Sequence, residues 1–285
     1  MRSLFGFAAL AGSLAQSVDG VLGAALDMVS GFATAPGAGP VALTMAAGDS
    51  LAVRATTVAK NIRLLNFWGQ VQAAGFFRVR SPRFSDNIQG IRSQLQTATA
   101  QPCMPLGYSE ALISQDLLIA EIGGSGVGGN IESASMLVWY DSDFAPDANF
   151  LDSATMRQRA VKMVTVRTTH AFGATGGYSG QVAINSTDDN AKNGKTYAVL
   201  GYNLSAACCS IALRGVDTGN LRCGGPGFIT SPYLTEHWFV RLSDEYGIKC
   251  IPTIQWSNKA GIFVDGVQNQ AAAAVTAQWF LVELS

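Results

Sequence analysis

The feature that most constrains this chain is an internal duplication. Asp49 to Val53 opens a stretch that runs through Ile62 to Gly69 and on to Gly75-Phe76-Phe77-Arg78 and Pro82. Lys195 to Val199 opens a second, which runs through Ser210 to Gly215 and on to Gly219-Asn220-Leu221-Arg222 and Pro226. In both, a Gly-x-apolar-Arg unit is followed four residues after the Arg by Pro, and each copy ends on an apolar strand, Met136 to Tyr140 or Trp279 to Leu284. On this pattern Gly75 should lie over Gly219 and Pro82 over Pro226. A tandem β-module at this scale belongs to a construction protein more than to an enzyme.

Composition points the same way. The 285 residues are enough for two full cores, yet only 14% are charged and 48% are hydrophobic. A monomer in water usually carries about 25% charge, so much of this surface is expected to be covered by other protein. The net charge of −1, with no basic run, gives no electrostatic case for direct nucleic-acid binding. Cys103, Cys208, Cys209, Cys223 and Cys250 are too few and too scattered for a disulfide framework and read as buried small hydrophobes.

Along the chain, Leu4 to Ala11 follows Arg2 like a short signal-peptide core but is too interrupted to span a bilayer. Leu14, Val18, Val21, Leu22, Ala25 and Met28 fall at helical spacing, which predicts an amphipathic helix ahead of a Pro/Gly linker at Ala35 to Pro40. The linker should detach that helix, so removing Met1 to Ala33 is expected to leave the rest folded. Beyond Pro40 the sequence reads as short strands with Gly, Asn and Asp turns at spacings near ten residues. Expected strands include Val41 to Met45, Leu51 to Val58, Phe76 to Arg80 and Trp238 to Leu242, with a helical turn near Leu151 to Val161. The expected division is residues 1–39 for helix and linker, 40–145 for one jelly roll, 146–160 for a link and 161–285 for a second jelly roll. The fold class is all-β, two tandem eight-stranded jelly rolls with a short N-terminal helix.

Candidate chemistry is sparse. Gly124 to Gly129 fits G-x-G-x-x-G but leads into a strand, whereas a dinucleotide loop must open a helix. Gly194-Lys195-Thr196 resembles the end of a phosphate loop, but Asp189 stands where its first glycine belongs, so Asn193-Gly194 reads as a turn. Ser179 lacks the nucleophile-elbow frame. His170 and His237 have no metal-spaced partners beyond Glu236 and read as structural. Asp141, Asp143 and Asp147 form a weak Ca²⁺ candidate without the spacing of an EF-hand loop. No catalytic residues, cofactor or enzymatic activity are expected.

With its two copies, its paired terminal strands Ser135 to Tyr140 and Ala277 to Leu284, its low charge and its apolar N-terminal segment, the chain resembles the double jelly-roll major capsid proteins of tailless icosahedral viruses and phages. The resemblance covers Pro40 to the C-terminus. It implies upright rolls side by side, and three chains forming a pseudo-hexagonal capsomer. It further implies a place in the virion capsid after synthesis in the host cytoplasm. The partners would be neighbouring capsomers, minor capsid or penton proteins and an internal lipid membrane, the last met by the helix face Leu14, Val18, Val21, Leu22 and Met28. Because interfaces favour aromatics and Arg, the contact candidates are Phe76, Phe77, Arg78, Arg222, Trp238 and Phe263. Two rivals are a carbohydrate-binding or adhesive β-sandwich, which needs exposed aromatic platforms, and a β-rich hydrolase, which needs a His/Asp/Glu cluster.

Overall fold

Short β-branched and aromatic runs punctuated by glycine turns give antiparallel sheets throughout this computed structural model, which describes residues 24–55, 59–84, 86–97, 99–142, 149–173, 176–184, 190–227, 232–268 and 273–285. In the first half the strands are β1 (Ala24–Thr34), β2 (Val41–Ala42), β3 (Thr44–Met45), β4 (Ala59–Gln70), β5 (Gly75–Arg80), β6 (Ile91–Leu95), β7 (Glu110–Leu112), β8 (Ile119–Gly123) and β9 (Ile131–Ser142). They form one sheet in the order β3-β1-β9-β4-β7 and another in the order β2-β8-β5-β6. The second half has β10 (Phe150–Leu151), β11 (Ala160–Phe172), β12 (Tyr178–Ala183), β13 (Thr196–Leu204), β14 (Ser210–Arg214), β15 (Cys223–Pro226), β16 (Ile251–Gln255), β17 (Phe263–Val267) and β18 (Ala273–Leu284). Its sheets run β10-β16-β13-β18-β11 and β12-β17-β14-β15.

The four-stranded sheets share one order, and so do four strands of each five-stranded sheet; the fifth, β3 or β10, is added at opposite ends. In each half the first long strand pairs with the last, the last with the long middle strand, and that strand with a short partner; the intervening strands form the four-stranded sheet. This is the jelly-roll arrangement of antiparallel strands, so the fold is all-β and jelly-roll-like, with one roll following the other. Among the described residues three α-helices are added: α1 (Ser153–Arg159), α2 (Pro232–Glu236) and α3 (Trp238–Tyr246). The first occupies the expected link, capped where Asp152 accepts the Thr155 N–H at 2.7 Å.

Several expectations change. Met28 is not on a helix: Ala24 to Thr34 form β1, whose register with β9 runs unbroken from Ala24↔Asp141 to Thr34↔Ile131. The first roll therefore starts by Ala24, not Pro40, and β10 joins the second roll ahead of residue 161. Leu14, Val18, Val21 and Leu22 lie outside the described residues. Leu51 to Ala55 hold no strand, only an isolated bridge from Ala52 to Leu117. Trp238 to Leu242 are helical: Trp238, Phe239 and Leu242 share a buried face, Asp244 and Glu245 meet water, and Gly247 at φ +64° ends the helix. A five-residue apolar run does not distinguish strand from helix.

The repeat is real in topology but displaced in sequence. Ile62 to Phe67 lie on β4, whereas their proposed mates Ser210 to Leu213 lie on β14, the topological equivalent of β5. Gly75 opens β5, while Gly219 sits in a turn between β14 and β15, so the two do not superpose. Pro82 follows β5, while Pro226 ends β15. The terminal strands do correspond, as β9 and β18.

Candidate functional site: the seam between the rolls

Strand β1 is apolar on both faces, and the structure shows why. One face (Ala25, Val29) closes the first roll; the other (Leu26, Met28, Ser30) meets the second roll. On the edge of β1 away from β9, Met28 donates its N–H to the Arg222 carbonyl at 2.8 Å and its carbonyl accepts the Tyr178 hydroxyl at 3.2 Å, both from the second roll. The Cys223 thiol donates to the Leu26 carbonyl. Gly224 makes this approach possible: a Cβ there would lie 2.9 Å from Met28 Sδ and 2.4 Å from the Ile211 carbonyl oxygen.

A chain of hydroxyls crosses the seam. Ser30 Oγ lies 2.7 Å from Ser135 Oγ, and Ser135 Oγ lies 2.5 Å from Ser210 Oγ of the second roll. Trp68 Nε1 donates to Ser210 Oγ at 2.9 Å, and the Trp68 ring meets Trp238 edge-on at 6.1 Å. All five side chains are fully buried. Polar groups so far from water hold their position only when mutually hydrogen-bonded. Trp139 Nε1 donates to the Lys249 carbonyl and the Tyr246 hydroxyl to the Leu65 carbonyl, so the rolls are also tied further along.

Beside the hydroxyls is a charged cluster. Arg222 stacks its guanidinium on the Tyr178 ring at 3.7 Å, reaches Asp49 Oδ1 of the first roll at 2.6 Å, and donates from Nε to Asp265 Oδ2 at 2.9 Å. Arg214 Nε donates to the same Asp265 oxygen at 3.0 Å. Arg54 Nε holds Asp27 Oδ2 at 2.7 Å. Asp49 also accepts the Ser30 N–H at 2.7 Å and lies 2.9 Å from the Tyr178 hydroxyl. Burial pushes the Asp49 carboxyl up to about 6, against the opposing pull of the Ser30 N–H, Arg222 and Tyr178. Burial likewise raises Asp27, against Arg54. It lifts the Tyr178 phenol well above its usual range. The cluster is a lock: three arginines and three aspartates from both rolls, with Asp27, Asp49 and Asp265 buried and Arg54 reaching water, so that loss of an arginine strands a buried acid.

The residues singled out in the sequence fall elsewhere. Phe77 and Trp238 are wholly buried within the chain, and Phe76 is buried under the Arg92 guanidinium at 3.9 Å, so none of the three is an exposed contact. Arg222 is spent inside the seam. Arg78 is half-buried and paired with Glu121 at 2.8 Å, and Phe263 is half-buried. Asp141 lies on β9, while Asp143 and Asp147 are outside the described residues. Among the described residues no group of His, Cys, Asp and Glu is placed to hold a metal ion, and no helix is long and apolar enough to cross a membrane. His170 is buried on β11 against Phe172, ring centroids 4.4 Å apart, and His237 is exposed ahead of α3. Gly124 to Asn130 form the loop between β8 and β9, and Asn193-Gly194 form a turn. Cys208, Cys209, Cys223 and Cys250 are buried free thiols, as expected of small hydrophobes; Cys103 is half-buried. The seam acids and serines were missed; their one signal is a polar residue inside an apolar strand, as in Leu26-Asp27-Met28.

No family model and no curated protein matches the chain. Solved structures with some likeness include the PBSX exported protein XepA, at 8% identity and TM-score 0.26, over 93% of this chain and 87% of that one. The major capsid protein P2 from bacteriophage PM2 matches at 8% identity and TM-score 0.21, over 92% and 98%. The VP2 subviral particle of infectious bursal disease virus matches at 10% identity and TM-score 0.17, over 92% and 72%. Scores this low leave the function to be argued from the chain's own residues.

Proposed function

We propose that this chain is a shell-building structural protein, the major capsid protein of an icosahedral phage, assembling as a homotrimer of pseudo-hexagonal outline. One observation carries the reading: inside the chain, the outer face of one roll's five-stranded sheet is sealed against the next roll's four-stranded sheet. The equivalent faces at the two ends of the pair are left over. A contact between unlike faces repeats head to tail and closes into a ring when the rotation permits. Six rolls, hence three chains, would close such a ring.

Burial patterns support it. β1 is buried on both faces, but its equivalent β11 alternates buried and exposed residues from Val166 to Phe172. β14 is buried from Ser210 to Leu213, but its equivalent β5 alternates buried and half-buried residues from Phe77 to Arg80. The seam strands are covered twice and the end strands once. The adhesive-sandwich rival is less well served, since Trp68, Trp238, Trp256 and Trp279 are wholly buried and Trp139 is 6% exposed. The titratable groups of the seam are used in holding the rolls, which favours a structural role over a catalytic one. On this reading the partners are neighbouring capsomers, minor shell proteins and, through residues 1–23, an inner lipid layer, and the protein resides in the virion.

Multi-angle light scattering and electron micrographs test this: trimers or shells are expected, and a stable monomer at micromolar concentration would overturn it. Truncation should remove Met1 to Gly23 only, because cutting to Ala33 deletes β1 and with it one wall of the first roll. If the shorter truncation still yields normal membrane-lined particles, the lipid contact is wrong.

A further inference from the structure

The two rolls share a side-chain constellation that the sequence repeat did not show. On β5, Arg80 stands opposite Ile119 of β8, and Glu121 follows two residues later. On β14, Arg214 stands opposite Phe263 of β17, and Asp265 follows two residues later. The register is identical, and in each case the Arg Nε donates to the acid at 3.0 Å. A second arginine converges on the same carboxylate oxygen in both rolls: Arg78 Nε at 2.9 Å and Arg222 Nε at 2.9 Å. Each roll also lays a guanidinium on an aromatic ring, Arg92 on Phe76 and Arg222 on Tyr178.

In the second roll this constellation is the seam. Asp265 is 2% exposed, and Arg222 is completed by Asp49 from the roll packed against it. In the first roll the same constellation faces outward. Arg92 and Gln94 are exposed beside it, and Ile119 is 40% exposed. There Arg78 and Arg80 share one carboxylate with Arg92 stacked on Phe76 beside them, whereas in the seam Arg54, Arg214 and Arg222 meet Asp27, Asp49 and Asp265. At the far end of the chain, the five-stranded sheet of the second roll exposes Met163 and Val161 at 61% and 59%. Met163 pairs with Val282, and half-buried Phe280 is two residues along β18. These strands are the equivalents of β1 and β9, whose apolar outer face is buried in the seam.

We infer that the outward face around Arg78, Arg80, Arg92 and Glu121 docks the outward β11–β18 face of the second roll of another copy of this chain, repeating between copies the joint made within each. This rests on the ring-building reading above and names its contact surfaces. Like the seam, the joint would set the arginines against a sheet face that is apolar at Val161 and Met163, and hydroxyl and amide oxygens further along that face (Thr165, Thr169, Gln278) would complete the arginine set.

The test uses the full chain, an Arg78→Ser/Arg80→Ser variant and a Met163→Lys variant, followed by sedimentation velocity and native mass spectrometry, with far-UV circular dichroism confirming the fold. Each variant is expected to run as a monomer where the wild type is a trimer. Mixed together they should form a heterodimer and stop there, because one intact face remains on each. If both variants assemble like the wild type, or if the mixture stays monomeric, the inference is overturned while the trimer reading stands. A monomeric wild type overturns the trimer reading itself. Should the double variant fail to fold, Met163→Lys alters only an exposed side chain and decides alone.

Discussion

Replacing Asp49 by Asn should remove a specific slope from the pH dependence of stability. Asp49 Oδ1 meets Arg222 at 2.6 Å, Oδ2 meets the Ser30 N–H and the Tyr178 hydroxyl, and the side chain is only 3% exposed. Asp27 adds a second negative charge nearby, and burial outweighs the donors, so the carboxyl rises from 3.8 to about 6. A carboxyl raised in this way binds its proton more tightly in the folded chain than in the unfolded one. Between about pH 4 and pH 6 the native state therefore holds a proton that the unfolded state has lost, and stability falls as pH rises through that window. At about 1.4 kcal/mol per pH unit, the carboxyl accounts for up to about 3 kcal/mol between pH 4 and pH 7. Asn keeps an acceptor for Ser30 or Tyr178 and has no proton to lose. Urea unfolding of both proteins at half-unit steps from pH 4 to pH 8 gives two curves. Their difference should favour the wild type at pH 4 and shrink or reverse by pH 7, with the change centred between 4 and 6. Parallel curves, or an Asn variant penalised most at pH 7, would refute the reasoning and show that the Arg222 pairing outweighs burial.

Three further substitutions probe other parts of the fold. Gly201→Ala places a Cβ 2.1 Å from the Thr235 carbonyl oxygen, a backbone atom that cannot swing aside, and should cost about 3 kcal/mol by chemical denaturation. Glu132→Gln sets an amide N–H₂ against one of the two backbone donors, Ser125 N at 2.7 Å and Gln72 N at 2.6 Å, that its buried carboxylate accepts; a loss of about 1–3 kcal/mol in unfolding free energy is expected. Arg157→Ala breaks a 2.7 Å pair with Asp244 in which both side chains are about half exposed, and thermal unfolding should show a loss below about 1 kcal/mol.

Much of the architecture was legible because it depends on composition along strands. Val161 to Val166, Tyr197 to Tyr202 and Thr276 to Leu284 carry enough β-branched and aromatic residues to be strands in any context, and the link around Leu151 carries a cap, Asp152, where a helix begins. β1 was not legible. Its run Ala24-Ala25-Leu26-Asp27-Met28-Val29 is apolar on both faces because two rolls cover it, and double coverage erases the alternation that marks a strand. Residues 14–28 then matched a helical period by default. The same double coverage hid the seam: Asp27, Ser30 and Ser210 are isolated polar residues in apolar strands, and only the tertiary structure shows that Ser135 links the two serines and that Asp27 accepts the Arg222 N–H.

The misplaced repeat follows from the same physics. Any two strands with alternating side chains align at every second residue, so a linear match can slip by a whole strand without losing similarity. Arg78 was matched with Arg222 by such a slip, yet both arginines do bind the shared acid of their own roll, one from β5 and the other from the turn before β15. The quantity held in common by the two rolls is a cross-strand relation, Arg80 with Glu121 and Arg214 with Asp265, between residues far apart in sequence. A pair of this kind is fixed by sheet register, which a slip of one residue would turn to the other face. That makes it a stricter mark of common architecture than the glycines and prolines of the turns. A chain of such low charge thus keeps arginine–acid sets on both four-stranded sheets: one is closed inside the molecule, and its twin faces outward.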